Sequence, residues 1–301
     1  MSAKVGETAI GVDIGATRTK MVVLADSGEV LDSRELASNF RSPKAVVAAV
    51  AAAIADWAGD GEGARAAAIG LAVPGLVERS TGTVLRAPNL LALEGFGIGP
   101  ALVAATGLPV SLDNDANAAG LAEAVLGAAA GCEAAVCLTV GTGVGGAIVH
   151  GGRLWRGPGG LAGELGRLIL DPEGRVHFEE QVGAAAVVAA YARRAGAPPG
   201  DIDAERVGER AAAGDRAARE ALAECGRHLG VGLAILMNLL NPQRIVVGGG
   251  VASAGEWLLE PAREEAARRA WGEAWEQCEV VPAQLGARAG AIGAALLCWH
   301  D

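Results

Sequence analysis

Two segments of this 301-residue chain each predict a β-strand, a tight glycine turn and a second β-strand. The first runs from Ala9 to Leu24 and the second from Ala134 to Val149. The second turn, Gly141–Gly146, formally matches the G-x-G-x-x-G pattern, but no helix follows either turn, so a dinucleotide-binding βα unit is excluded. Because one hairpin begins each apparent half of the chain, we expect an internal duplication whose two tips converge on one anion.

The tip of the first hairpin carries residues suited to a nucleotide. Asp13 can reach hydrated Mg²⁺, Gly15 allows a close approach of the backbone, and Thr17 can offer a hydroxyl to phosphate. Lys20 follows on the second strand, where it is either a phosphate contact or an ordinary surface lysine. The tip taken alone is also typical of a plain hairpin turn.

A polar stretch, Asp113–Asn117, separates a short apolar run from an alanine-rich helix. Carboxylates and carboxamides are costly to bury unless they have hydrogen-bonding partners. Asp and Asn are also the preferred residues at a helix N-cap, so a cap is the simpler interpretation of this stretch alone. The surrounding glycine-rich loops favour an active site. Within that site we expect Asp113 to be structural, as a cap or strand-end residue.

The remaining segments predict an alternation of helices and strands, which indicates an α/β fold. Ser42 and Pro43 form a typical helix start, with Ser as N-cap. Leucines at helical spacing predict the buried face of a long helix that ends before Pro242: Leu222, Leu229, Leu233, Leu236 and Leu240. The predicted helices are 42–57, 99–106, 117–127, 184–195, 203–213, 215–240, one from about 252, and 287–299. Further predicted strands are 67–73, one ending at 170, 244–247 and 278–281.

Composition excludes several classes of function. The net charge of −10 and the ten aromatic residues (six Trp, three Phe, one Tyr) argue against a nucleic-acid partner, which requires a basic face. No apolar run approaches the roughly 18 residues of a membrane span, and the N-terminus lacks a secretory pattern, so we expect a cytoplasmic protein. Five cysteines without a C-x-x-C pair suggest neither a disulfide framework nor a zinc ribbon.

Taken in order, these motifs resemble those of the ROK family (repressor, open reading frame, kinase) of sugar kinases. The resemblance covers nearly the whole chain and is carried by Asp13–Lys20, Val73–Gly75 with Ala87–Asn89, Asp113–Asn117, Gly141–Gly146, Gly163–Gly166, and Asn241–Pro242 with Val247–Val251. It implies the actin-like, ribonuclease-H-like ATPase fold, with two domains and a cleft between them. We place the first domain at residues 1–112, completed by 287–301, and the second at 113–286. The family also implies a homodimer.

The resemblance assigns a role to each matching residue. Asp115 is the expected general base, and Asn89, Asn114, Glu164, Arg167 and Glu179 are the expected sugar-binding residues. Phosphate contacts are expected at the two hairpins, through Asp13, Gly15, Thr17, Lys20, Gly141, Thr142 and Gly143. Gly249 and Gly250 are expected beside the adenosine. The implied co-substrate is ATP, with Mg²⁺ carried by the nucleotide and reached by Asp13 through water.

One departure from the family pattern concerns zinc. The family commonly holds a structural zinc through one His and three Cys, but here Arg167 stands at the His position and 171–178 contains no Cys. His177 alone cannot form a four-ligand site, so we predict no zinc. Arg167 is then a substrate contact, a solvated charge, or an ion-pair partner of Glu164 or Glu179. Glu179 matches the acid that ends the family motif, with Glu180 as the alternative register.

The substrate stays open at this stage between glucose and an aminohexose such as kanosamine, because Asp115, Glu164 and Glu179 would suit a cationic sugar. A polyphosphate donor is an alternative to ATP, and a non-catalytic sugar sensor is an alternative to a kinase. Repressors of the family carry a winged helix before the first hairpin. Here that hairpin begins at about residue 9, which favours the kinase.

Overall fold

The computed structural model describes residues 7–38, 40–60, 66–171, 173–196 and 202–300. Its strands are β1 Thr8–Ile14, β2 Arg18–Ala25, β3 Val30–Ala37, β4 Ala66–Val73, β5 Leu76–Glu78, β6 Thr83–Arg86, β7 Val110–Asn114, β8 Ala134–Val140, β9 Val144–His150, β10 Arg153–Leu154, β11 Arg244–Gly248 and β12 Glu279–Pro282. Its helices are α1 Pro43–Asp60, α2 Ile98–Thr106, α3 Asp115–Val125, α4 Phe178–Val182, α5 Ala184–Ala195, α6 Ala204–Ala212, α7 Arg216–Leu240, α8 Glu256–Arg269, α9 Gly272–Glu276 and α10 Ala289–His300.

Two sheets share one connectivity. In the first, with order β3-β2-β1-β4-β7, the hairpin β1–β2 is antiparallel while β4 and β7 run parallel to β1. In the second, the hairpin β8–β9 is antiparallel, and β11 and β12 run parallel to β8 in the order β9-β8-β11-β12. Both predicted hairpins are therefore confirmed, and the repeated connectivity fits the expected duplication.

The chain divides into two compact units. Unit 1 contains the described residues up to Leu126, the segment Arg153–Ala162, and the residues from Ala287 onward. Unit 2 contains Gly127–Gly152 and Gly163–Gly286. This division differs from the predicted boundary between residues 112 and 113, because α3 packs closely on α10 and stays with unit 1. A Cβ atom at Gly293 of α10 would overlap the backbone of α3 at Ala118.

In unit 1, the first sheet packs on α10 through very small residues. A Cβ atom at Gly11 of β1 or Gly70 of β4 would overlap the backbone of α10. The α1 helix begins as predicted, since the amide of Ala45 donates to the Ser42 hydroxyl at 3.3 Å and Pro43 is its first residue. Near its other end the indole of Trp57 is fully buried and donates to Asp32 of β3 at 2.6 Å.

In unit 2, the long helix α7 supplies the centre of the core. Leu222, Leu229 and Leu233 are fully buried, as the helical spacing predicts, and Leu236 is nearly so. The helix ends at Leu240, where Asn241 adopts a left-handed conformation before Pro242. No helix in the described part of the chain is both long and apolar enough to span a bilayer.

Three local predictions were wrong or incomplete. The predicted strand ending at residue 170 is instead a short 3-10 helix, Leu165–Arg167, followed by a single bridge. The helix expected from about 252 is a 3-10 turn, and α8 starts only at Glu256 because Gly255 breaks the path with a φ of +61°. Strand β3 was not predicted, since it is a largely exposed edge strand whose polar residues mask its pattern.

Candidate active site

The first turn of α3 holds the predicted base and its neighbour. Asn114 is the N-cap: its Oδ1 accepts from the amides of Ala116 at 2.8 Å and Asn117 at 3.2 Å, while its Nδ2 donates to the Gly75 carbonyl at 2.9 Å. Asp115 is therefore the first helical residue, in a half-buried position. Burial raises the pKa of Asp115 above its usual value, and hydrogen bonds from Ala116 and Asn114 lower it only in part.

Asp113 is not the cap of α3. It is a strand-end residue, which is the other of the two roles predicted for it. It lies in β7 and is 1% exposed. One carboxylate oxygen accepts from the Asn117 side chain at 2.9 Å and from the Asn114 amide at 2.7 Å. The other accepts from Nε of Arg156 at 2.6 Å. Asp113 is thus a strand-end anchor, because the helix cap is Asn114.

Asp13 lies near the end of β1, in the same unit as Asp115. Burial and, to a smaller extent, the neighbouring Asp115 carboxylate raise the pKa of Asp13 to about 6, against the lowering effect of the Lys20 ammonium. Lys20 is half-buried and lies directly opposite Asp13 in the antiparallel register of β1 and β2. The structure thus brings these three side chains together, and Lys20 is not an isolated surface lysine. Two carboxylates that repel one another in a half-buried position favour a cation or a proton beside them.

The tip of the first hairpin is a tight turn. The Gly15 amide donates to the carbonyl of Arg18 at 3.0 Å, and a Cβ atom at Gly15 would lie only 2.8 Å from that carbonyl oxygen. Thr17 is exposed at the turn, where its hydroxyl is open to a ligand, whereas Thr19 is fully buried and pairs with Ser38.

Asn89 lies in an exposed turn after β6. The Leu90 amide donates to the Ala87 carbonyl at 2.8 Å, which closes the turn around Asn89. Gly75 has a φ of +101°, and a Cβ atom there would overlap the backbone of Arg86. Since the Gly75 carbonyl also accepts from Asn114, this glycine links the Asn89 turn to the residue beside the predicted base.

The second hairpin tip is packed against a carboxylate of its own. The Gly141 amide donates to the Gly143 carbonyl at 2.9 Å, and the Gly141 carbonyl accepts from the amide of Ala184 at 2.8 Å. A Cβ atom at Gly143 would lie 2.5 Å from Oε2 of Glu179, so with any other residue at the tip the glutamate or the tip would have to shift. Thr142 stands between the two glycines at the tip.

Glu179 is paired with Arg167, at a distance of 3.2 Å between Oε1 and NH1. Of the predicted alternatives for Arg167, the structure shows this ion pair. Glu180 instead accepts from the His177 amide at 2.7 Å in the capping box of α4, so Glu179 is the acid that faces the hairpin. Glu164 is exposed at the start of the 3-10 helix.

The segment that carries zinc ligands in the family pattern is closed here by Asp171. Its carboxylate accepts from the amides of Glu173, Arg175 and Val176, and these hydrogen bonds lower the pKa of Asp171. Among the described residues, no three His, Cys, Asp or Glu side chains converge as metal ligands. The absence of zinc stays a prediction.

The expected adenosine loop follows β11. Gly249 has a φ of +93° and its backbone lies against Val140, the last residue of β8, which places the loop beside the second hairpin. Gly250 is exposed, and a Cβ atom there would meet nothing within 4 Å. An open, side-chain-free backbone of this kind fits a flat ligand.

Two residues near Asp13 and Asp113 were not predicted. Gly290, in the first turn of α10, packs directly on the carboxylate of Asp13. The small-residue pattern at the start of that helix was the available signal. Arg156, which pairs with Asp113, is an isolated arginine in a glycine-rich loop, and nothing in its local sequence indicates a partner 43 residues away.

A family model described as the ROK family matches residues 9–301. This range includes both hairpins, the α3 start and the Gly249 loop. The chain belongs to the ROK family. The actin-like α/β fold expected from the sequence follows from this membership and from solved relatives with the same fold.

Several relatives of known function match this ROK chain over nearly its whole length. A glucokinase from Streptomyces coelicolor is 34% identical, with 95% of this chain and 96% of the relative covered. An N-acetylmannosamine kinase from Escherichia fergusonii is 32% identical, with 96% and 98% covered. The crystal structure of a ROK glucokinase from Streptomyces griseus with glucose and AMPPNP has a TM-score of 0.84 at 33% identity, covering 96% and 98%. These relatives support an ATP-dependent sugar kinase.

Proposed function

We propose that this chain transfers the γ-phosphoryl group of ATP to the 6-hydroxyl of a hexose, with Asp115 as general base. The observation that carries the proposal is the register of the first sheet, which sets Asp13 of β1 and Asp113 of β7 on either side of Ala72 in β4, so that Asp115 follows two residues after the end of the same sheet. It brings a candidate base next to the phosphate hairpin, which is the arrangement that phosphoryl transfer to a hydroxyl requires. Such transfer depends on positioning and charge stabilisation more than on covalent chemistry.

Asp115 accepts the proton of the attacking hydroxyl. The raised pKa of this half-buried carboxyl brings it closer to the operating pH, which makes it a stronger base than an exposed Asp. Asn114 cannot leave its position, because it caps α3 and binds Gly75 at the same time. We therefore assign Asn114 a double role, in which Oδ1 holds the helix and the side-chain amide orients Asp115 beside the proposed sugar hydroxyl.

We assign the proposed nucleotide contacts to each unit by itself: the first hairpin in unit 1, and the second hairpin with the Gly249 loop in unit 2. The open backbones at Gly141 and Gly250, where an added Cβ would meet no atom within 4 Å, fit a phosphate and an adenine that approach the main chain. The oxygen donor Asp13 suits hydrated Mg²⁺. ATP with Mg²⁺, when bound, supplies the phosphoryl group and neutralises its developing charge. Gly15, Thr17, Lys20, Thr142 and Gly143 complete the proposed phosphate contacts.

Among the sugars, we propose glucose in preference to an aminohexose. A cationic sugar would be favoured by three carboxylates among the proposed site residues, at Asp115, Glu164 and Glu179. Arg167 compensates the last of these, so the proposed sugar-binding residues carry less negative charge than the carboxylates alone suggest. The glucokinases among the relatives support the same choice.

The test is ADP release in a coupled assay with glucose, glucosamine, kanosamine and N-acetylmannosamine. We expect kcat/KM for glucose to exceed that for each amino sugar by at least about tenfold, since a 1.4 kcal/mol difference in transition-state binding is enough for this ratio. A preference for kanosamine would contradict the choice of glucose but not the kinase.

Replacing ATP by inorganic polyphosphate tests the donor, and we expect ATP to be used in preference. Absence of ADP release with every sugar would favour the non-catalytic sensor. The homodimer stays a prediction that light scattering after size-exclusion chromatography can measure.

A further inference from the structure

We propose that Arg156 and Asp113 form a positioning pair for the base Asp115. The pair sets the rate of phosphoryl transfer while contacting neither substrate. This inference rests on the proposed function and deepens it, because it names residues that act through the base. Neither residue was among the expected catalytic or substrate-binding groups.

The pair is buried and geometrically well defined. Asp113 is 1% exposed, and the Arg156 side chain is 15% exposed. A carboxylate withdrawn from water must be compensated by hydrogen bonds and charge. Here Nε of Arg156 lies 2.6 Å from one carboxylate oxygen of Asp113 and so compensates it.

The other oxygen of Asp113 explains how the pair acts on the base. It accepts from the side chain of Asn117 and from the amide of Asn114, the two residues that flank the first turn of α3 around Asp115. One carboxylate thus ties the end of β7 to the start of α3 at two points. Rotation of that carboxylate would disturb both bonds, and Arg156 prevents the rotation by holding the opposite oxygen.

Arg156 itself is fixed by its own segment. It lies in Arg153–Ala162, which belongs to unit 1, and its carbonyl accepts from the Ala162 amide at 3.0 Å. The pair therefore also anchors the Arg153–Ala162 segment within unit 1.

Arg79 provides a matched control in the same unit. Its Nε lies 3.6 Å from the same oxygen of Asp113, and its side chain is 32% exposed. Arg79→Met removes the same charge type at a longer distance, whereas Arg156→Met removes the short hydrogen bond. A role that depends only on positive charge near Asp113 would make the two variants alike.

The experiment compares Arg156→Met, Arg79→Met, Asp113→Asn and the double variant Asp113→Asn/Arg156→Met in the glucose assay. For Arg156→Met we expect kcat to fall about 10–100-fold, with the KM for glucose within about threefold, because misplacement of a catalytic group by about 1 Å costs that much. We expect Arg79→Met to retain kcat within about threefold. The double variant should lose no more than the worse single variant, since the two residues act as one unit.

The double variant also separates a loss of activity caused by misplacement of Asp115 from one caused by destabilisation of the fold. It removes the buried carboxylate together with its nearest guanidinium and leaves beside position 113 only the partly exposed Arg79, so it should recover part of the melting temperature lost by Arg156→Met while its kcat stays at least about tenfold low. Wild-type kcat in Arg156→Met or in the double variant would overturn the proposal, as would additive losses or equal losses at Arg79 and Arg156. A wild-type protein without sugar-dependent ADP release would instead overturn the proposed function.

Discussion

The two glycine hairpins are alike in their backbone and different in their surroundings. Each pairs seven residues per strand, and each begins a sheet in which two further strands run parallel to its first strand. Beside the first hairpin, burial and the Asp115 carboxylate both raise the pKa of Asp13. At the second tip, Glu179 is already compensated by Arg167.

Two hairpins with the same backbone therefore need not take part in the same chemistry. Asp13 and Asp115 give the surroundings of the first hairpin a net negative charge, which can bind a cation or accept a proton. We therefore propose that this hairpin takes part in the reaction. The second hairpin is locally balanced and has open backbone beside the Gly249 loop, so we assign it to nucleotide binding. The predictions below test each side of that contrast, beginning with the reactive side.

The largest effect is expected for Asp115→Asn. Loss of the general base should lower kcat by roughly 10²–10⁴-fold while the dissociation constant for glucose changes little, because the amide keeps the shape of the carboxylate. Steady-state kinetics and calorimetric titration of glucose measure the two quantities. Asp26→Asn, in the exposed turn after β2, is the matched control. Turnover within a few-fold of wild type would remove Asp115 from its role.

Asp13→Asn should stabilise the nucleotide-free protein at neutral pH. The pKa of Asp13 is raised from 3.8 to about 6 in the folded state, so ionisation costs folding free energy once the pH exceeds the unfolded value. The penalty is absent below about pH 4, grows through pH 4–6, and then stays near 2–3 kcal/mol by the usual conversion of about 1.4 kcal/mol per pKa unit.

Urea denaturation of both proteins at pH 4 and pH 7.5, with EDTA and without nucleotide, measures this. We expect the variant to be clearly more stable at pH 7.5 and to differ from wild type by only about 0.5 kcal/mol at pH 4. A variant that is less stable at pH 7.5, or a difference in unfolding free energy that does not depend on pH, would show that burial does not disfavour the ionised form of Asp13.

On the nucleotide side, Gly143→Ala should lower kcat/KM for ATP by about tenfold. The new methyl group would lie 2.5 Å from Oε2 of Glu179, so the hairpin tip or the glutamate must move, and a displaced phosphate contact is costly. Gly272→Ala adds the same methyl group where no atom lies within 4 Å. Equal kinetics for the two variants would separate the second tip from ATP binding.

The smallest effect is expected for Arg167→Gln. Its ion pair with Glu179 is largely exposed, with 62% of the arginine side chain accessible, and such pairs contribute little to stability. Removing the positive charge should nevertheless raise the ratio of kcat/KM for glucosamine to that for glucose by about threefold. Arg175→Gln, a still more exposed arginine paired with Glu173, is the control. An unchanged ratio would mean that Arg167 does not influence the sugar preference.

The order and type of the main strands and helices could be predicted from the sequence because local patterns determine them. Strand–glycine–strand spacing identified both hairpins, Ser42-Pro43 identified the start of α1, and the leucine spacing identified the buried face of α7. Of the two acids Glu179 and Glu180, it is Glu179 whose carboxylate lies at the second hairpin tip, and its role as the acid of the family motif stays a prediction.

What the sequence could not provide is the partner of each charge. The ion pair of Asp113 with Arg156 joins residues from distant segments, and the contact of Gly290 with Asp13 joins the two ends of the chain. Such contacts depend on how sheets and helices pack, and a single arginine or glycine has no local pattern that reveals its partner. Of the two roles predicted for Asp113, a cap or a strand-end residue, the structure shows the second, and the cap of α3 is Asn114.

The most direct test of the account is the identity of the reaction product. Purified protein, ATP, Mg²⁺ and glucose would be examined by phosphorus NMR with proton coupling. We expect one new phosphomonoester resonance coupled to the two protons of the C6 methylene, which appears with wild type and not with Asp115→Asn over the same time. A phosphate on another hydroxyl, or the same product at the same rate from the variant, would contradict a 6-phosphotransferase that uses Asp115 as its base.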